Sequence, residues 1–240
     1  MFMLSSLLLA VSPQTPAVDL SLRVFEGDSW VAEVRQSLRP DVDGDPEEVY
    51  VWQDTTTVRL DKRNVKLVTS RKLIESSVGG ISIPTDSKAA PWDLASTVSE
   101  GRQGEPERTG ESDPGEHRLV RLRLLSWPLQ PVERKGVWER AFELIPTGWA
   151  PAASGRWTFA GMRQKLDRQV GWITYTYSEQ GIAQAMTATG ELFLDRETGI
   201  PLEYDVRAKN APAPGGDGSP NVFNWRYRVT ELRLKQRSRG

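Results

Sequence analysis

The runs Gly171-Trp-Ile-Thr-Tyr-Thr-Tyr177, Ala188-Thr-Gly-Glu-Leu-Phe-Leu194 and Pro201-Leu-Glu-Tyr-Asp-Val206 decide the fold class. The first is β-branched or aromatic at every position after its glycine, a composition that suits a pleated, half-buried surface. The second and third are separated by Asp195-Arg-Glu-Thr-Gly199. Asp and Thr side chains hydrogen-bond the local backbone and Gly199 can supply a positive φ, so these five residues read as a hairpin loop. Three strands joined by short turns predict an antiparallel meander.

Working outward, the same signal recurs. Ser29–Gln36 alternates and reads as a strand; Glu48–Leu60 and Val65–Ile74 read as two more, joined by a polar turn at Asp61–Asn64. Val78–Pro84 fits a short strand, and Pro91–Val98 is read as one or two helical turns. Arg118-Leu-Val-Arg-Leu-Arg-Leu-Leu125 alternates arginine with leucine and predicts a strand with one wet face. Val137–Ile145, Arg156–Met162 and the long run Val222–Leu234 complete the set. No segment makes a clear amphipathic helix. The expectation is a mainly β protein, a curved antiparallel sheet or half-barrel with little helix, with two β lobes as the alternative arrangement.

Composition breaks divide the chain. The N-terminal Met1–Val11 run is apolar, of export-signal length, with small residues after it and Thr15-Pro16-Ala17 as a cleavage region. It carries no Lys or Arg ahead of its apolar run and is too short to span a bilayer. Ser99–Glu116 contains no hydrophobic residue and holds six acids against two arginines, so it cannot offset its ordering entropy by burial. Asn210–Asn221 is rich in Ala, Pro and Gly and reads as a flexible connection. The expected organisation is a signal peptide over 1–17, an N-terminal β lobe over 18–98, an acidic flexible loop over 99–117, a C-terminal meander over 118–236 and a tail over 237–240. The expected location is periplasmic or extracellular, with no transmembrane segment in the mature chain.

Several chemistries are disfavoured by residue type. The 240 residues include no cysteine, which removes thiolate catalysis, thiolate metal sites and disulfides. The one histidine, His117, lies at the edge of a polar segment and reads as solvated, so nucleophile–base and histidine-metal constellations cannot be assembled around it. Asp41, Asp43 and Asp45 alternate as in a calcium loop, but Pro46 and Trp52 stand where its glycine and glutamate belong. No cofactor or metal is expected. The carboxylates Glu139, Glu143, Glu191, Asp195 and Glu203 remain as material for acid–base work, yet alternating acids on strands usually mark a solvated face. A net charge of −1 gives no field for nucleic acid.

Two groups of residues stand out for binding. Nine tryptophans are many for this length; Trp30, Trp52, Trp138, Trp157, Trp172 and Trp225 lie in strand-like runs, where large aromatics anchor cores. Of the aromatics, Trp157, Phe159, Trp172 and Tyr175 are the candidates for lining an apolar pocket. From Trp225 to the end, six Lys or Arg stand against one Glu. Arg226, Arg228, Arg233 and Lys235 alternate with apolar residues and make a candidate patch for an anionic partner, or else a basic edge that discourages strand pairing.

Three features carry a resemblance: Pro128-Leu-Gln-Pro-Val-Glu-Arg-Lys-Gly-Val-Trp138, the Gly171–Tyr177 strand, and Thr189-Gly-Glu-Leu-Phe-Leu-Asp-Arg-Glu-Thr-Gly199. Over residues 118–209 the chain resembles bacterial exported β-domains of unknown function, and has a distant look of lipoprotein-carrier half-barrels. The resemblance implies a curved sheet holding an apolar ligand and brings no catalytic residues. The expected function is therefore non-catalytic binding of a lipid, another apolar molecule or an envelope protein. The alternative is a structural or protein-interaction module with a fully packed core.

Overall fold

The first and last strands of this protein pair with each other, and that pairing makes one sheet from two runs of antiparallel strands. The computed structural model describes residues 16–40, 46–62, 64–85, 92–106, 114–145, 150–212 and 220–235. The first run comprises β1 (Ser29–Pro40), β2 (Glu48–Asp61), β3 (Asn64–Val78), β4 (Ile81–Ile83), β5 (Trp92–Ser99) and β6 (Arg102–Gln103). Helix α1 (Pro114–Arg121) follows. The second run comprises β7 (Val137–Phe142), β8 (Ala153–Lys165), β9 (Arg168–Glu179), β10 (Thr187–Asp195), β11 (Pro201–Ala211) and β12 (Asn221–Arg233). The sheet order is β6-β5-β3-β2-β1-β12-β11-β10-β9-β8-β7, with β4 paired to β3.

The curved sheet is not closed into a barrel. Its inner face follows from period-two alternation carried across the registers. One row runs Phe159, Ile173, Leu192, Tyr204, Tyr227, Val34, Trp52. The next runs Trp157, Tyr175, Gly190, Val206, Trp225, Gln36, Tyr50. The rings in these rows touch in sequence: Trp157–Tyr175 at 5.1 Å, Tyr175–Tyr204 at 5.9 Å and Tyr204–Trp225 at 5.1 Å between centroids.

The segment from α1 to Trp127 lies over this face. Leu119, Val120, Leu122, Leu124, Leu125 and Trp127 are all buried. Tyr204 donates its hydroxyl to the Leu122 carbonyl at 2.9 Å. Polar contacts at the segment's end link the two outer strands that no ladder joins. The Gln103 amide donates to Leu125 O at 3.0 Å, and Trp127 N to Gly101 O at 2.7 Å. From the far side, Trp138 Nε1 donates to Ser126 O at 2.7 Å and Arg140 Nη1 to Gln103 O at 2.6 Å.

The structure corrects four local expectations. Arg118–Leu125 is not a strand: α1 continues to Arg121 and a turn follows. Its alternation does not mark a wet face, because Arg121 is itself only 1% exposed. That guanidinium donates to Glu105 Oε1 (2.9 Å), Pro151 O (2.6 Å) and Glu143 O (2.7 Å). Arg118 makes a two-pronged pair with the buried Glu179, at 2.9 and 2.6 Å. Trp92–Ser99 forms strand β5 where helical turns were expected, since β3 offers it a partner edge. Within the expected acidic loop, Arg102–Gln103 pairs with β5, and α1 begins at Pro114. His117 is half-buried rather than solvated, with Nδ1 3.4 Å from Glu105 Oε2. Residues 1–15 of the expected signal peptide over 1–17 and the aspartates at 41, 43 and 45 lie outside the described residues.

Candidate functional site

The covering segment fills the inner face over the C-terminal run of strands and leaves a gap over the N-terminal run. The gap is a cavity of about 430 Å³, partly open to solvent. That volume falls within the range of pockets that take small molecules. Leu119, Leu124, Leu125 and Trp127 form one wall. Trp30 and Leu38 of β1 and Trp225 and Tyr227 of β12 form the floor, with Leu22, Leu67 and Leu94 at the sides.

The wall formed by β2 and β3 differs in character. Alternation in β2 brings Tyr50, Trp52, Asp54 and Thr56 to one face, and the β2–β3 register sets Asp54 opposite Arg71 and Thr56 opposite Thr69. Arg71 Nε and Nη2 donate to Asp54 Oδ1 and Oδ2 at 2.7 and 2.6 Å. The two side chains are 12% and 5% exposed, so the pair is a desolvated one. Arg71 also stands 5.4 Å above the Trp52 ring, which in turn stacks on Tyr50 at 5.5 Å. The Thr56 and Thr69 hydroxyls bond each other at 2.9 Å. Burial first, and the neighbouring Glu48 second, push the Tyr50 hydroxyl's pKa up. The cavity is thus amphipathic: a polar strip on β2 and β3, further polar groups at Gln36, Ser96, Gln103 and Arg123, and a lining that is otherwise apolar.

The aromatic candidates read from sequence fall elsewhere. Trp157, Phe159 and Tyr175 are on the inner face but at 0%, 1% and 1% exposure, in the filled half, and none lines the cavity. Trp172 pairs across to Gly161 and Phe193 on the outer face, where Arg163 stacks 4.6 Å above its ring. Tyr204, Trp225, Tyr227, Trp52 and Tyr50, the continuation of the same inner rows, do line the cavity, together with Trp30 and Trp127. Three of the four candidates share the inner face and Trp172 does not; which part of that face stays open depends on the α1–Trp127 segment, whose helix the sequence pattern does not reveal.

Among the described residues of the C-terminal basic run, three arginines are ion-paired. Arg226 meets Asp205 at 2.7 Å, Arg228 meets Glu203 at 3.4 Å and Arg233 meets Glu231 at 2.6 Å. Lys235 donates its backbone amide to Asp28 Oδ1 at 2.7 Å. With a carboxylate beside each of these three arginines, their charges are largely offset locally. The five acids considered for catalysis do not converge: Asp195 binds Arg168 and Thr198, Glu203 binds Lys165 and Arg228, and Glu139 faces Arg156. None of the five lines the cavity.

No protein-family profile and no curated protein matches this chain. Among solved structures, it resembles one of lipid–protein interactions in lipovitellin, with a TM-score of 0.50 at 9% identity, covering 91% of this chain and 26% of that one. The likeness is one of fold, and this chain spans about a quarter of lipovitellin's length. A protein assigned as exported, with a YmcC-like fold, from Bacteroides fragilis aligns at TM-score 0.33 and 7% identity over 91% of this chain and 100% of that one. A LolA superfamily protein from Nitrosomonas europaea aligns at 0.23 and 11% over 89% of each. Those two alignments are too loose to bear on function.

Proposed function

We propose that this chain is an exported, non-catalytic binding protein that holds an apolar molecule in the cavity between β1–β5, β12 and the α1–Trp127 segment. The observation that carries the reading is the cavity: about 430 Å³ with a largely apolar lining, in a sheet whose other half is filled by the same covering segment. A packed module would continue that filling across the whole inner face. Apolar surface left uncovered in this way favours an apolar occupant. The fold neighbour reported for its lipid interactions supports the same direction. Export rests on the apolar Met1–Val11 run.

The test is titration with an environment-sensitive apolar dye. Wild-type protein is expected to bind one dye per chain. Leu94→Trp places a larger ring in the cavity from the half-buried edge of β5 and is expected to weaken binding about tenfold or more, with the fold intact. Absence of saturable binding by the wild type, or equal binding by Leu94→Trp, contradicts the reading.

A further inference from the structure

We infer that Arg71 is the head-group anchor of this cavity, and that its ligand is an acyl-chain amphiphile presenting a carboxyl oxygen, as a free carboxylate or an ester carbonyl. The inference rests on the reading of the cavity as a ligand site and adds the chemistry of what enters it.

Arg71 is held from two sides. Asp54 fixes Nε and Nη2 in a bidentate fork, and the Trp52 ring lies beneath the guanidinium. A guanidinium has five N–H donors and no acceptor, and the fork with Asp54 uses one donor on each of two nitrogens. Nη1 makes no hydrogen bond among the described residues, and the side chain keeps 12% of its surface exposed at the cavity wall. Both Asp54 oxygens face Arg71, so this part of the wall offers a ligand donors rather than acceptors.

The remaining chemistry narrows the ligand further. Asp54 neutralises the formal charge of Arg71, so the pair can receive a neutral ester oxygen as well as a carboxylate. The opposite walls, with Leu119, Leu124, Leu125 and Trp225, suit a hydrocarbon chain. A buried ion pair gains little stability over apolar residues of similar volume, because desolvating both charges offsets most of their attraction. Its place on the wall of a largely apolar cavity therefore calls for a role beyond holding β2 to β3, which their ladder already does.

The experiment compares three probes with a common chain: dodecanoate, monododecanoyl glycerol, and dodecane delivered from cyclodextrin. Each is titrated by calorimetry into the wild type, Arg71→Lys, and the double variant Asp54→Leu/Arg71→Met, which removes both charges together. Wild-type protein is expected to prefer at least one carboxyl-bearing probe over dodecane by about tenfold or more, the scale of a charge-assisted hydrogen bond. The double variant is expected to bind all three within about threefold while keeping its dodecane affinity. Arg71→Lys keeps the charge and loses the planar fork, and is expected to lose most of the preference. Dodecanoate above the glyceride identifies a free acid as the better ligand; the reverse identifies an ester. Wild-type binding of dodecane as tight as both others, or a preference that survives in the double variant, overturns the anchor while leaving the cavity reading in place. No binding of any probe by the wild type overturns both.

Discussion

The indole Nε1 of Trp127 donates to the carbonyl oxygen of Gly199 at 2.7 Å, with the contact buried. This bond ties the segment that covers the inner face to the turn between β10 and β11. The turn is rigid in its own right: Asp195 Oδ2 accepts from the Thr198 amide at 3.0 Å and hydroxyl at 2.6 Å, and Gly199 sits at φ +70°.

Removing the Trp127 bond should loosen the cavity's lid wall. Trp127→Phe leaves the Gly199 carbonyl buried without its donor and is expected to cost about 1–3 kcal/mol in urea unfolding, plus lost packing. Gly199→Ala is expected to be at least as harmful. Its positive φ is strained for alanine, and the added Cβ would meet the Ser21 carbonyl and Leu22 Cα. A Gly199→Ala protein as stable as wild type would refute the described turn.

Arg121 is expected to behave as a structural residue. Arg121→Met leaves Glu105 without its closest cation and the Pro151 and Glu143 carbonyls without donors, so a loss of about 3–5 kcal/mol is expected by denaturant titration. Arg121→Lys is expected to recover little of it, because one ammonium cannot reach three acceptors fixed around a planar fork.

The two sets of aromatic residues should separate cleanly by assay. Trp157→Ala, at a fully buried position in the filled half, is expected to cost about 3–5 kcal/mol while the dye affinity of the folded fraction stays at the wild-type value. Leu94→Trp should show the opposite pattern. A Trp157→Ala protein that is stable and fails to bind would move the site to the C-terminal half.

Alkaline unfolding gives a further test. Burial is the main cause pushing the pKa values of Tyr175 and Tyr204 above the ordinary tyrosine range. Their neutral forms are favoured in the folded state, so their contribution is complete below the unfolded pKa near 10. It is lost as pH rises above that value, at up to about 1.4 kcal/mol per pH unit for each ring. Tyrosinate absorbance from these two rings should therefore appear together with loss of near-UV circular dichroism. Their ionisation in fully folded protein would contradict their burial.

The meander was legible in sequence because its signals are local. Gly171–Tyr177 lies inside β9, and Asp195–Gly199 makes the hairpin loop its side chains predicted. Residues 48–60 and 65–74 likewise fall within β2 and β3. What local pattern did not reveal is the helix. Leu119, Val120 and Leu122 are buried on adjacent positions, and Arg118 and Arg121 are neutralised by Glu179 and Glu105, which are distant in sequence. A segment buried on several sides with its charges paired over long range imitates an alternating strand. The Asp54–Arg71 pair was equally hidden, since two charged residues in separate strands become one group only through the β2–β3 register.

The most direct test of the cavity as a ligand site is native mass spectrometry, with lipid extraction, of the chain expressed in its own host and purified without detergent. An acyl-bearing molecule at about one per chain, depleted in Leu94→Trp, is the expected result. A bare protein mass for the wild type, with dye binding unsaturable in the same preparation, would contradict it and leave an interaction module with an unfilled cleft.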